Sequence, residues 1–126
     1  MSPKKSAVVF GEDSIVIQKY ISGIKGGRTL DVTGFAENVI KAGHVIIVKE
    51  GKYMPMPVSG GAYAALPEGA AYAGVLYRSV LAAKPAASIM TWGEVNAVAV
   101  PYPMNTILAA FKTACPHIDF IKDEEA

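Results

Sequence analysis

Charge is scarce in this chain. Only 18% of its 126 residues are Asp, Glu, Lys or Arg, and 12 bases against 11 acids leave a net charge of +1. A balance so close to zero excludes a role driven by bulk attraction to nucleic acid or to an anionic membrane surface. Cysteine is nearly absent. Cys115 stands alone, so no intrachain disulfide is possible, and folding in the cytoplasm is the expectation. Histidine is limited to His44 and His117. Apolar runs such as Val45 to Val48 are strand-sized, far short of the ~20 residues that cross a bilayer. No secretory signal is expected either. Met1 to Lys5 carries cations, but Ala7 to Phe10 is too short for an apolar signal core and is followed by Gly11-Glu12-Asp13. The charged residues 122–126 read as a frayed, solvated end.

What is abundant is apolar surface. Residues of apolar type make up 52% of the chain, and 12 glycines and 8 prolines accompany them. Such a composition excludes intrinsic disorder, which combines low hydrophobicity with high charge. The length fits one compact domain. A domain this size hides about two thirds of its unfolded surface, and the chain is richer in apolar residues than that requires. A subunit interface is one place for the excess.

Strand signals dominate the pattern. Ser14 to Gln18 is β-branched, and Arg28 to Thr33 alternates as a half-buried strand, with Leu30 and Val32 on one face. Residues 23–27 hold three glycines and a lysine and read as a loop. Ala36 to Lys41 reads as a short helical turn. His44 to Lys49 is the strongest strand, and Glu50-Gly51 before Lys52-Tyr53-Met54 is a hairpin signal. Pro55 and Pro57 restrict the returning strand to a short or edge position. Residues 58–73, rich in Gly, Ala, Ser and Pro, read as one long loop, a length that usually signals a contact surface. Ala73 to Arg78 recovers strand character. Ser79 to Pro85 is a connection, and Ser88 to Trp92 and Val95 to Val100 read as two strands around a Gly93-Glu94 turn. One helix is expected near 105–115. Asn105 caps it, Met104, Ile107, Leu108, Phe111 and Cys115 share a face, and Pro116 stops it. Residues 117–121 read as a last strand. With roughly six to eight short strands and one or two short helices, the class is α+β, mostly β. Residues 1–25 read as an arm or peripheral strand, and residues 26–126 as a single β-rich domain.

Catalytic constellations are not expected. Cys115, His117 and Asp119 are too few for a metal site, which needs three or four well-placed ligands, and Cys115 also completes the apolar helix face. His44 reads as a strand-edge histidine. The glycines of residues 23–27 lack the phosphate-loop frame. Lys52 sits at a hairpin tip, which resembles the modified lysine of biotinyl and lipoyl carriers, yet its neighbours are Gly51 and Tyr53 and do not match their motif. Tyr53, Tyr63 and Tyr72 fit core or interface roles better than base stacking, which needs a basic track beside the rings.

One ordered set of short motifs carries a resemblance. Val39 to Ile46 has the form apolar, polar, Ala-Gly-x-Val. Tyr53-Met54-Pro55 follows, then an Ala/Gly-rich loop, Ala73-Gly74-Val75-Leu76, and Gly93-Glu94-Val95-Asn96. Over about residues 26–100 this order resembles head decoration and head fibre proteins of tailed phages, and Gly27 to Val32 also looks like the start of such a domain. The N-terminal 25 residues and the segment after Pro103 have no counterpart in that pattern. The resemblance implies a small β-rich protein added to the outside of a capsid, with the major capsid protein as partner. It also implies self-association, trimer favoured over dimer, with no catalysis, no cofactor and no metal, and with residues 1–25 as the attachment arm. Tyr53, Tyr63 and Tyr72 are then the candidate interface residues. The alternative is a small carrier or ligand-binding module without catalysis of its own.

Overall fold

A computed structural model describes residues 16–24, 27–33, 35, 37–59, 61–97, 99–104 and 107–121. The expected N-terminal arm up to residue 15, the Asn105 cap and the tail 122–126 lie outside the described residues. Among those described, the fold is mostly β, with twelve strands and one helix. The expected α+β, mainly β, class holds.

The strongest apolar run forms the centre. Strand β4 (Val45–Lys49) turns back into β5 (Lys52–Pro55) through Glu50 at φ 53° and Gly51 at φ 79°. Two successive positive φ values make the type I′ geometry that matches strand twist, and Lys49 pairs with Lys52 across it. As Pro55 and Pro57 require, β5 is short and lies at the sheet edge. On the other side of β4 runs β8 (Ala70–Leu76), then β11 (Ile89–Asn96), then β1 (Ile17–Gly23), all antiparallel. β8 pairs with β11 only through Val75 and Leu76. Beyond that point β12 (Ile118–Ile121) takes over the same edge of β11, in parallel. Into the gap packs α1 (Leu108–Ala114), whose Phe111 ring meets Tyr72 of β8 at 5.4 Å and Phe120 of β12 at 5.6 Å.

Four expectations change. Gly93-Glu94 is no turn, because β11 runs through it without a break. A Cβ on Gly93 would strike the Lys19 carbonyl oxygen of β1 and approach the Met90 sulfur at 2.6 Å, so the glycine permits close strand approach. The expected helical turn over 36–41 is instead β3 (Val39–Ile40), paired with β9 (Val80–Leu81). Partners forty residues away outcompete a local helical preference that was only one turn long. The long loop 58–73 is broken up by a small hairpin, β6 (Val58–Ser59) with β7 (Ala62–Tyr63), and by the first residues of β8. Of the expected strand 28–33, only β2 (Arg28–Thr29) pairs, with β10 (Ala86–Ala87).

The main sheet is buried on both faces. Val45, Ile47, Val75, Met90 and Val95 face a larger cluster that includes Phe111 and Ile118. Ile46, Leu76 and Ile89 face a second cluster with Leu30, Ile40, Val80 and Ala87. Two-sided burial is why β4 reads as an unbroken apolar run where a half-exposed strand would alternate. Val16 and Ile17 lie in the larger cluster, so β1 is tied to the core as well as to β11.

Candidate functional site

The three candidate interface tyrosines do not form one surface. Tyr53 on β5 is half-buried, on the side of the smaller cluster, with the Arg28 guanidinium 5.6 Å from its ring centre. Tyr72 on β8 is half-buried on the opposite side, against Phe111. Burial pushes its phenol pKa up from the ordinary value. Their opposition follows from register, since Tyr53 pairs with Val48 and Tyr72 with Ile47, adjacent residues of β4. Tyr63 is only 6% exposed. Its hydroxyl oxygen accepts from the Val45 N–H at 3.0 Å, and burial drives its pKa further up. In this fold Tyr63 is a core residue with no ring surface left for a neighbour.

Tyr63 belongs to a cluster that sequence spacing conceals. His44, 1% exposed, lies with its ring centre 5.3 Å from Tyr63, 5.5 Å from Phe35 and 5.6 Å from Tyr102, all edge to face. Its Nε2 is 3.0 Å from the Met56 carbonyl oxygen. A carbonyl only accepts, so Nε2 carries a proton. Burial lowers the His44 pKa to about 4, against a smaller upward pull from the Met56 carbonyl. The expected strand-edge histidine is therefore a buried, hydrogen-bonded one. It locks β4 to the chain after β5, where the Met56 N–H also donates to the Val45 carbonyl at 2.8 Å.

Over this cluster lies a concavity. Asp31 is held beside β5 because its N–H donates to the Tyr53 carbonyl at 2.8 Å. The Asp31 carboxylate accepts the Thr33 N–H at 3.1 Å, an Asx-type turn that bends the chain outward. Hydrogen bonds from Thr33 hold this carboxyl below its usual range, helped by the Lys52 charge. Pro55 and Pro57 offer no N–H, so no further strand can lie along β5 there. The edge opens into a groove of about 520 Å³ between the 31–37 segment and residues 54–58. A narrower lobe of about 120 Å³ continues past Phe35 and Tyr102 to His44 and Lys41. Phe35, Glu37 and Tyr102 line both lobes. None of these groove residues stood out in the sequence as a site. The one local signal was the Asp31-x-Thr33 spacing of an Asx turn.

Nucleophile and metal chemistry find little here. Cys115 is buried with its thiol pKa raised by desolvation, in part offset by Lys112, so the unreactive thiol form dominates. His117 stacks at 5.3 Å on Trp92, and Asp119 pairs with Lys112 at 3.2 Å. Among the described residues no three His, Cys, Asp or Glu side chains are grouped to hold a metal, and no helix is long and apolar enough to cross a membrane. Lys52 is exposed at the β4–β5 turn. Comparison with family models, with curated proteins and with solved structures returns no match for this chain.

Proposed function

We propose that the chain is a non-catalytic structural subunit that binds the outside of a phage capsid, as a decoration protein or the base of a head fibre. The observation that carries the reading is where the resembling motifs fall. Ala42 to Ile46 leads into β4, Tyr53-Met54-Pro55 is β5, Ala73 to Leu76 ends β8, and Gly93 to Asn96 ends β11. Residues scattered over nearly half the chain fall on four strands of one sheet, in the order β11-β8-β4-β5. Motifs that cohere in space behave as one architectural unit, as a shared domain pattern demands.

A second feature supports assembly. Tyr20 and Ile21 of edge strand β1 are 44% and 43% exposed, and Trp92 of adjoining β11 is 48% exposed. Large exposed aromatics next to an unpaired strand edge suit contact with another chain. The partners of this reading are the major capsid protein and further copies of the chain, trimer favoured over dimer, at the virion surface. Tyr53 and Tyr72, half-exposed, remain available to such contacts.

The test is co-sedimentation of the purified protein with mature, DNA-filled phage capsids. Saturable binding at a fixed copy number per capsid is expected, and light scattering should show an oligomer free or on the shell. A protein that stays in the supernatant, with particle stability unchanged when it is deleted, sinks the reading. The alternative carrier role draws on exposed Lys52 at a hairpin tip. Intact mass of protein from its native host would then exceed the sequence mass by a lipoyl or biotinyl group.

A further inference from the structure

The groove over the His44 cluster has a chemical character that the assembly reading does not use. Its lining includes two aromatic rings, Phe35 and Tyr102, together with Met54, Pro57 and the largely buried Pro55. Its volume of about 520 Å³ is that of a ligand-sized cleft. Flat rings and prolines hold apolar side chains well, and they hold proline or aliphatic residues of an extended chain best.

Charge on the described lining of the wide lobe is one-sided, with the Lys52 charge acting on Asp31 from beyond that lining. The wide lobe carries two carboxylates, Asp31 and Glu37, and no Lys or Arg among its described lining. The Asp31 carboxylate is oriented, since it accepts from Thr33. Lys41 stands only at the far end of the narrow lobe. His44 beneath is neutral at ordinary pH and adds no charge. Two carboxylates repel phosphate, which argues against nucleotides and nucleic acid. They attract a guanidinium or ammonium group instead. The gradient from Asp31 to Lys41 also gives a bound chain a direction, with its cation in the wide lobe and a carbonyl or carboxylate towards Lys41.

We propose that this groove docks an extended peptide segment of another protein, one that sets a Lys or Arg side chain between Asp31 and Glu37 and packs adjacent proline or aliphatic residues on Phe35 and Tyr102. The site goes beyond the capsid reading and does not depend on it, because the segment could belong to any partner. The rim carboxylates supply selection by charge, and the two rings supply contact area. The prolines keep the β5 edge from pairing, so the segment lies in the groove by side-chain contact and not as an added strand.

The experiment is a ¹⁵N NMR titration of the full chain with a blocked five-residue probe, acetyl-Pro-Val-Arg-Pro-Val-amide, and its Glu-for-Arg counterpart. Amide shifts should cluster on Asp31, Thr33, Phe35, Glu37, Met54, Met56, Val58 and Tyr102, with a Kd near or below about 1 mM for the Arg probe. The Glu probe should bind roughly tenfold more weakly. Asp31→Asn with Glu37→Gln should cost a similar factor, and raised salt should weaken binding too. Both side chains are on the rim, so the variant's urea midpoint should match the parent, separating lost binding from lost folding. Equal binding of both probes, no shifts up to about 5 mM of the Arg probe, or shifts centred on Tyr20 and Trp92 overturns the proposal. So does a rise of about tenfold in probe affinity when Lys4→Glu and Lys5→Glu are introduced together, since the groove's occupant would then be the chain's own N-terminal segment. The probe needs no capsid, so this outcome and that of co-sedimentation are read separately.

Discussion

Lowering the pH should destabilise the fold through one residue, His44, well before the carboxylates titrate. Its pKa falls from 6.5 to about 4 on burial, so the unfolded chain binds a proton that the native ring refuses. Above pH 6.5 both states are neutral and the native state keeps its full stability. Between 6.5 and 4 the unfolded state gains protons and stability falls with pH. Below 4 both states are charged and the loss levels off. At 1.36 kcal/mol per unit the full loss is about 3 kcal/mol, and about 2 kcal/mol of it falls between pH 7 and pH 5. That is a large share of the roughly 5–15 kcal/mol that holds a small domain together. The Met56 carbonyl offsets only a small part of this. Phe35, Tyr63 and Tyr102 ring the imidazole, and Glu37 and Lys41 on the same cleft bring opposite charges.

The assay is urea unfolding at steps from pH 7.5 to 4.5, for the parent and for His44→Gln. Gln keeps an amide donor in reach of the Met56 carbonyl and does not titrate. Its stability at pH 7.5 is expected to be lower than the parent's, but flatter between pH 7 and 5. If parent and His44→Gln lose stability in parallel over this window, His44 is not excluded from protons in the native state, and the buried, neutral ring is wrong.

Three further perturbations read other parts of the fold. Tyr63→Phe removes the acceptor of the buried Val45 N–H and should cost about 1–3 kcal/mol in chemical denaturation; a change near zero would mean water replaces the hydroxyl. Glu50→Asn should stabilise by roughly 0.5–1 kcal/mol, because Glu50 holds φ 53° in the β4–β5 turn, a conformation asparagine tolerates better. An unchanged melting temperature would count against the type I′ turn. Gly74→Ala should cost about 2 kcal/mol or more, since a Cβ there would meet the Met90 carbonyl oxygen and lie 3.2 Å from Ile89 Cγ2, and a neutral result would put β8 farther from β11.

Two acid–glycine pairs show which parts of the fold a sequence can reveal. Glu50-Gly51 turns because its two residues alone adopt the positive φ values of the hairpin. Gly93-Glu94, made of the same residue types, continues a strand because β1 crosses so closely that only glycine fits opposite Lys19. Local chemistry announced the first; the second depended on a strand seventy residues earlier. Helix α1 was legible for the first reason, since Met104, Ile107, Phe111 and Cys115 share one buried face. Leu108, expected on that face, is 37% exposed, because the buried stripe steps by four residues from Ile107 to Phe111 to Cys115 and Leu108 falls beside it. The candidate site was less legible. His44, Phe35, Tyr63 and Tyr102 span nearly seventy positions, and only the folding of three separate segments onto the start of β4 brings them into contact.

The apolar excess that first suggested an interface has a more economical explanation in the sheet. One strand pair feeds two clusters, with Ile46 on one face and Val45 and Ile47 on the other. A small domain with a core on each side of its sheet needs more apolar residues than one with a single face to cover. Among the described residues, the exposed large apolar side chains are Tyr20, Ile21 and Trp92 on the β1–β11 side and Leu108 and Ile121 on α1 and β12. The groove is built from neither set. Its two rings pack on His44 and so on the core, whereas its carboxylates project from the 31–37 segment, which touches β5 through the Asp31–Tyr53 hydrogen bond. Changes at the rings therefore couple binding to stability, and changes at Asp31 and Glu37 alter the charge that selects a partner while leaving both clusters packed. Contact through the β1 edge and docking in the groove can thus be removed one at a time: Trp92→Ser should weaken assembly without moving the groove's affinity for a cationic peptide, and the paired Asp31 and Glu37 substitutions should do the reverse.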